Sequence, residues 1–328
     1  MKRFIKQIIP DYLLYLRDAI PAYYYDVKRY YIHSAYMTGY NNENKLISNI
    51  IERYHSIEKG LTMPNFRPGF GVRQLNKLIT ECIEYSNTYN SVNPQLLHAV
   101  GVIYEYESHH KKIEYKINEQ TLVMIDKLKL NFDNIKPTSQ KVISDVEYFS
   151  KSKSDFKSFA SSRSSVRNYS NKPVDIDDLI EAVEIAQTAP SACNRQSSRV
   201  YIYKDKDKIN QILKVQGGNR GFGHLSDKLI IITSSLNVWE FVGERYQSYV
   251  DGGIYALNLL YALHYKKIAG CILNCSVSPK KDKVLRQICG IDNSENFIAM
   301  ISCGHPPKKI YHAYSKRYKS KEILKIID

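Results

Sequence analysis

The chain has 328 residues, of which 43% are hydrophobic and 24% are charged. This composition is typical of a folded globular protein and excludes a wholly disordered chain. The formal net charge of +14 indicates an anionic ligand, a nucleic acid or an acidic membrane surface as a partner. The lysines are scattered rather than arranged in a stripe, so we do not expect a nucleic acid among the partners.

The amino terminus is basic and then apolar, which is how a targeting segment begins. Pro10, Asp11 and Arg17 interrupt the apolar run, and no small-residue cleavage site follows. No stretch reaches the roughly 18 apolar residues that are required to cross a bilayer. The six cysteines have the spacing of neither a disulfide framework nor a zinc site. We therefore predict a cytoplasmic protein with reduced thiols, no transmembrane segment and no bound metal.

The first 150 residues carry a helical pattern of apolar residues. This pattern is clear at 46–54, 75–82 and 122–128, whereas strand-like alternation is scarce. A Pro- and Gly-rich stretch at 63–71 predicts an irregular loop between helices. A polar segment at 151–162 marks the join to a second module. We predict a mainly helical extension over 1–150 and a second domain over 151–328.

Helices and strands alternate beyond this join. The pattern predicts helices over 176–188, 206–215, 252–265 and 279–288, and strands over 200–203, 229–233, 270–273 and 297–302. Such an order indicates an α/β or α+β sheet with helices packed on it. Helix 252–265 is apolar almost all the way round, so we expect it to be buried in a core or in a subunit interface.

Two segments of this second module carry residue types suited to ligand binding. Residues 163–169 place Arg163 and Arg167 four apart with hydroxyls between them, which suits a phosphate or the edge of an anionic ring. Residues 188–196 end a helix at Pro190 and then offer polar groups for the edge of a planar ring. Taken alone, each segment also fits an ordinary surface connection.

Two further segments concentrate glycines or cations. Residues 217–223 form a glycine-rich loop in which Asn219 and Arg220 could face a ligand, although the loop does not open a helix as a dinucleotide-binding motif would. Residues 303–309 and 315–317 place cations after a glycine at a strand end, which again suits a phosphate. A mobile loop and a solvated basic tail are the alternatives.

Together, these segments resemble the signatures of nitroreductase-like flavoenzymes, in the same order. Residues 163–174 are similar to the opening RRSxRxF signature, and residues 189–199 are similar to the APSxxNxQPWRF motif. Residues 251–271 resemble the central helix with its GLGSC-like end. Residues 301–317 resemble the IGxP strand and the closing KxR segment. The resemblance covers about residues 155–328.

The resemblance implies a nitroreductase-like, FMN-dependent α+β sandwich that forms a homodimer, here with a mainly helical N-terminal extension. One group of residues would hold the phosphate, the ribityl chain and the ring edge, and a second would reach the flavin of the other subunit. In chain order, the implied FMN-binding residues are Arg163, Ser164, Ser165, Arg167, Pro190, Ser191, Ala192, Asn194, Asn219, Lys316 and Arg317.

The chemistry that the resemblance implies belongs to the cofactor. NADH or NADPH would reduce the flavin, which would pass two electrons to a small-molecule acceptor, and no protein nucleophile is required. The sequence departs from the family pattern at Ser164, where a second basic residue is common. It departs again at Ser197 and Ser198, which replace the usual Pro-Trp.

The extension carries a resemblance of its own. Residues 55–61 and 67–71 are similar to the extension of nitroreductase-like proteins from surface-polysaccharide gene clusters, which suggests a specialised biosynthetic substrate. His55 and Glu58 lie three apart beside a glycine and could form an acid/base pair. The simpler interpretation, which we expect, is an exposed polar pair at a helix end.

Two other functions remain open at this point. The protein could be a flavin-dependent oxidase of a biosynthetic intermediate, with oxygen as the acceptor. It could also be a binding or scaffold protein that kept the fold and lost redox turnover. Bound flavin, and its reduction by a nicotinamide, would separate these alternatives.

Overall fold

The structure, a computed structural model, describes residues 10–35, 42–89 and 93–327. It divides into two compact units, each built from three pieces of the chain. The sheet unit contains Met1–Gly39, Ser152–Arg163 and Asn171–His305. The helical unit contains Tyr40–Lys151, Ser164–Ser170 and Pro306–Asp328. Both units therefore combine parts of the predicted extension and of the predicted second domain, and the domain boundary at residue 150 stays a prediction.

Helices and strands of the described residues are labelled in chain order. The helices are α1 (Asp11–His33), α2 (Glu43–Leu61), α3 (Val72–Thr88), α4 (Pro94–Lys112), α5 (Glu119–Asn131), α6 (Asp145–Tyr148), α7 (Phe156–Ser162), α8 (Ile176–Ala186), α9 (Lys206–Gln216), α10 (Gln247–Tyr265), α11 (Pro279–Cys289) and α12 (Ser320–Ile323). The strands are β1 (Lys141–Ser144), β2 (Ser198–Tyr203), β3 (Lys228–Ser235), β4 (Ala269–Asn274), β5 (Glu295–Gly304) and β6 (Lys309–His312). Each helix and strand predicted between 176 and 302 is present, with ends that differ by a few residues.

The sheet unit is built on a four-stranded antiparallel sheet in the order β2-β3-β5-β4. Strand β3 is buried along its whole length, and α8 and α10 pack on the sheet in one apolar core. Helix α10 approaches β5 closely at Gly252, where a Cβ atom would lie 2.6 Å from Cγ1 of Ile298. The predicted α+β class is confirmed.

The core of the helical unit is formed by α2, α3, α4 and α5. The predicted loop at 63–71 lies between α2 and α3 and packs on the end of α2. A Cβ atom at Gly60 would lie 1.9 Å from the ring of Phe70, so only glycine fits there. The hydroxyl of Tyr106 donates to the carbonyl of Phe70 at 2.9 Å. Residues 55–61 and 67–71, the two segments that carry the resemblance of the extension, therefore pack against each other in this unit.

A two-stranded antiparallel ribbon completes the helical unit. Strand β1 pairs with β6, so that Lys141 lies opposite His312 and Ser144 lies opposite Lys309. The segment after β6 is also fixed, because the N–H of Tyr314 donates to Oε1 of Gln140 at 2.9 Å. The sequence predicted a mainly helical first half with little strand-like alternation, and β1 is a four-residue strand that this pattern did not identify.

None of the helices in the described ranges combines the length and the apolar character that a membrane span requires.

Candidate functional site

The opening motif is divided between the units: Arg163 belongs to the sheet unit, and Ser164–Ser170 belongs to the helical unit. The carbonyl of Ser164 accepts a hydrogen bond from the Tyr148 hydroxyl at 2.7 Å. Val166 is buried, and its carbonyl accepts a hydrogen bond from the Tyr169 hydroxyl at 2.9 Å. The backbone on both sides of Arg167 is therefore held in place by tyrosine hydroxyls.

Several polar groups of this motif have no partner in the described part of the chain. The Ser164 hydroxyl is buried without a hydrogen bond. Arg163 and Arg167 form neither an ion pair nor a hydrogen bond with any described residue. Leaving a buried polar group unpaired costs about 1–3 kcal/mol, and such groups are rare in folded proteins. The buried hydroxyl of Ser164 is in this state, whereas the guanidinium of Arg167 is partly exposed, and both can donate to an anionic ligand.

The second motif forms a loop with an unusual backbone. Cys193, Asn194 and Gln196 have φ angles of 51°, 55° and 48°, which is the left-handed region. Residues other than glycine adopt it only when the surrounding structure compensates the strain. Such strain occurs preferentially at functional sites. The side chains of Cys193 and Asn194 are exposed, so this loop presents a fixed backbone and accessible side chains.

Asp251 is one of the groups that hold this loop. Its Oδ2 accepts the backbone N–H of Ala192 at 3.0 Å, and its Oδ1 accepts Nε2 of Gln247 at 2.7 Å. Asp251 was expected to begin the central helix, but α10 begins at Gln247, so Asp251 lies one turn inside it. Pro190 is exposed and Ser191 is partly exposed. The helix thus contacts the loop through the Asp251 carboxylate, and Nδ2 of Asn258 in the same helix donates to Oγ1 of Thr188 at 3.1 Å.

Asn219 follows α9, which ends at Gln216 and is capped by Gly217 in a left-handed conformation. Its amide nitrogen donates to the carbonyl of Leu213 at 2.6 Å and to Oε1 of Gln216 at 3.0 Å. Both hydrogens of the amide are therefore used to terminate the helix. Contact between Asn219 and a flavin stays a prediction.

The closing cations lie in the helical unit. Arg317 is exposed, and its Nη1 donates to the carbonyl of Ser315 at 3.2 Å. Lys316 is partly exposed and forms no ion pair with a described residue.

The predicted site residues fall into two groups. The helical unit contains Ser164, Ser165, Arg167, Lys316 and Arg317. The sheet unit contains Arg163, Pro190, Ser191, Ala192, Asn194 and Asn219. The first group contains most of the cations and hydroxyls of the predicted phosphate end, and their joint contact with one ligand stays a prediction. The second group is dominated by a loop suited to a planar ring.

Sequence analysis missed one polar group of the helical unit. His312 is 6% exposed, and its Nδ1 has no hydrogen-bond partner in the described residues. Burial lowers the pKa of His312, and the nearby charges of Lys141 and Arg167 lower it further. No short-range signal indicates this arrangement, because it depends on a pairing of β1 with a strand almost 170 residues away.

The pair His55 and Glu58 differs from its expected exposed state. Glu58 is fully buried, and its two oxygens contact His55 Nδ1 at 3.2 Å and His98 Nε2 at 2.7 Å. Burial would raise the pKa of Glu58, but the hydrogen bonds of His55 and His98 hold it below its usual value. The ring of His98 also lies 5.1 Å from that of Tyr314. The interpretation as an exposed pair is wrong for Glu58.

Comparison with known proteins identifies one segment of the chain. Residues 160–218 match the Nitroreductase family. No curated protein matches the chain at a significant level.

Two solved structures are similar to about half of the chain. A putative NADH oxidase from Clostridium acetobutylicum has 20% identity and a TM-score of 0.44, over 51% of this chain and 97% of that one. A putative nitroreductase in complex with FMN from Desulfovibrio desulfuricans has 19% identity and a TM-score of 0.46, over 54% and 98%. The family match confirms the resemblance in the segment that carries the opening motif.

Proposed function

We propose that the protein is a homodimeric oxidoreductase that binds FMN, accepts electrons from NADH or NADPH and passes two electrons to a small-molecule acceptor. One observation carries this proposal. The buried Ser164 hydroxyl and the guanidinium of Arg167 have no partner in the described residues, and they stand where the motif resemblance expects the FMN phosphate. Charge-assisted hydrogen bonds to a phosphate would satisfy both groups.

In this proposal the cofactor carries out the redox chemistry, and the residues of the chain bind and orient it. Bound FMN would supply hydride and two-electron chemistry. Arg167 and Lys316, both in the helical unit, would neutralise its phosphate. The exposed loop of Pro190 and Asn194 would reach the flavin ring of the other subunit. We assign proton transfer to none of the described side chains.

The dimer is supported by one side of α10. Val250, Ile254 and Leu257 follow helical spacing and are 51%, 40% and 49% exposed. The opposite side of the same helix is buried in the core of the sheet unit. Apolar side chains aligned on one exposed helix face are typical of a subunit interface. A Leu257→Glu variant should sediment as a monomer, whereas Val284→Glu, at another exposed apolar position, should leave the dimer intact.

The N-terminal extension bears on the identity of the electron acceptor. The extension resembles that of proteins from surface-polysaccharide gene clusters, and we propose a biosynthetic intermediate as the electron acceptor. The polysaccharide pathway itself stays a prediction.

Anaerobic reduction tests the proposal. The FMN-loaded protein is mixed with NADH or with NADPH, and its absorbance at about 450 nm is followed, since oxidised flavin absorbs there. Bleaching by either nicotinamide is expected. Bound flavin that neither nicotinamide reduces would contradict the proposed reductant and favour the oxidase. A protein that binds no flavin would contradict the proposed function and favour a scaffold.

A further inference from the structure

Helix α1 belongs to the sheet unit but is buried at a single position. Of its 23 residues, only Ala19 is buried. Pro21 lies inside the helix, where a proline removes a backbone hydrogen bond. In proteins, most of the stability of a helix comes from the packing of an apolar face. A helix with so little packing within its own chain therefore requires a partner.

One side of α1 is apolar and exposed along most of the helix. Its residues follow one another at intervals of three or four, which places them on one face of an α-helix. Each is between 40% and 68% exposed, and together they form the apolar stripe: Leu13, Leu16, Ile20, Tyr24, Val27 and Tyr31. This spacing is typical of a seam between two packed helices.

A different side of α1 is fixed to the segment that precedes α10. Oδ2 of Asp26 accepts a hydrogen bond from Nε of Arg245 at 2.6 Å and another from the hydroxyl of Tyr246 at 2.9 Å. The guanidinium of Arg245 also lies over the ring of Tyr23, 6.0 Å from the centroid. These contacts hold α1 on its own subunit and leave the apolar stripe exposed.

A groove connects the apolar stripe with the start of α10. The groove has a volume of about 900 Å³, and its lining includes Val27 and Tyr31 of the stripe together with Tyr246. Tyr246 comes one turn before Val250, the first of the exposed apolar residues of α10 that support the dimer. The apolar stripe therefore adjoins the proposed subunit interface on one surface of the sheet unit.

The charge and the composition of α1 favour a protein as the occupant. Its acidic and basic residues are equal in number: Asp11, Asp18, Asp26, Arg17, Lys28 and Arg29. Anionic membranes and nucleic acids attract surfaces with an excess of cations, which α1 lacks. Seven of its residues are tyrosines, and tyrosine is enriched where two proteins meet.

We infer that α1 packs through the apolar stripe on a second copy of this chain and extends the subunit interface that begins on α10. This inference rests on the proposed function, from which the homodimer is taken. In a dimer with two-fold symmetry each contact occurs twice. The stripes of both subunits would therefore be covered together, and one substitution on the stripe would disturb the interface at two places.

Sedimentation equilibrium of the full chain tests the assignment. Tyr24→Glu places a charge on the apolar stripe and should raise the dissociation constant of the dimer about thirtyfold, as expected for the loss of an interface anchor. Val27→Glu, at a second position of the stripe, should have a similar effect. Tyr25→Glu is the matched control, since Tyr25 is 57% exposed on another side of the helix, and it should leave the dimer unchanged. Far-UV circular dichroism checks that all three variants keep their helices.

The contrary outcomes separate the dimer from the role of α1. A monomeric wild type would overturn the proposed dimer and this inference with it. A dimer that Leu257→Glu dissociates, and that neither stripe variant weakens, would overturn the inference alone. Equal weakening by Tyr24→Glu and Tyr25→Glu would overturn it too, because the effect would not depend on the stripe. Binding to phosphatidylserine vesicles that Tyr24→Glu abolishes, with an unchanged dimer, would assign the stripe to a membrane and would also overturn it.

Discussion

The opening motif and the loop of residues 189–199 differ in which of their polar groups are already hydrogen-bonded and which remain accessible to a ligand. Around Arg167, the backbone is anchored, and the Ser164 hydroxyl and the Arg167 guanidinium have no described partner. In the loop, the polar backbone is paired through Asp251, and the exposed side chains sit on left-handed residues. We therefore expect the first arrangement to select for charge and the second to select for shape. Variants that remove a charge from the opening motif, or that relax the backbone of the loop, therefore test this difference.

The largest expected effect concerns the buried charges of the helical unit. Glu58→Ala leaves His55 and His98 without their shared carboxylate, and breaking a buried pair costs about 4 kcal/mol. The free energy of unfolding, measured by urea titration, should fall by this amount. Glu52→Ala is the control, because Glu52 is exposed on the same helix. Similar values for the two variants would show that the His55–Glu58–His98 contacts add no stability.

A slightly smaller effect is expected from pH in the sheet unit. Burial, and then the charge of Arg163, lowers the pKa of His264 from 6.5 to about 4. Because the unfolded chain binds this proton more readily, stability is complete above about pH 6.5 and decreases as the pH falls towards 4, by about 3 kcal/mol. Urea midpoints across this range should fall more steeply for wild type than for His264→Gln. Parallel curves would be the contrary result.

The next largest effect is expected from removing the charge of Arg167. Arg167→Ala should weaken FMN binding by about 2 kcal/mol, or roughly thirtyfold, and leave riboflavin binding unchanged, since a guanidinium bound to phosphate contributes on this scale. Isothermal titration with both flavins measures the difference. Arg220→Ala is the control, because Arg220 is exposed in the glycine-rich loop. If riboflavin binding fell as much as FMN binding, Arg167 would not select for charge.

Relaxing the backbone of the loop should have the smallest effect, and it should weaken the binding of both flavins instead of FMN alone. Asp251→Ala removes the acceptor of the Ala192 N–H, and the loop should relax from its strained backbone. We expect FMN and riboflavin binding to fall by the same factor, about tenfold. The two titrations described for Arg167 measure it. A loss confined to FMN would contradict the separation of the two motifs.

Much of the sheet unit could be predicted from the sequence. Strand β3 is a continuous apolar run, and α10 is an apolar helix, so periodicity and length identify both. The start of α10 was placed at Gly252 instead of Gln247, because its first turn has no apolar repeat.

Contacts between distant segments could not be predicted. Strands β1 and β6 have four residues each and too little alternation to be recognised, and each is stable only because it pairs with the other. Glu58 is buried because α4 brings His98 to it, 40 residues away in the chain. Local pattern describes one element at a time, whereas these sites depend on which elements meet.

The most direct test is the visible absorption spectrum of the purified protein after incubation with FMN and removal of the unbound flavin. Bands at about 370 and about 450 nm, with on the order of one FMN per chain, are predicted for an intact site. A colourless protein would contradict the account.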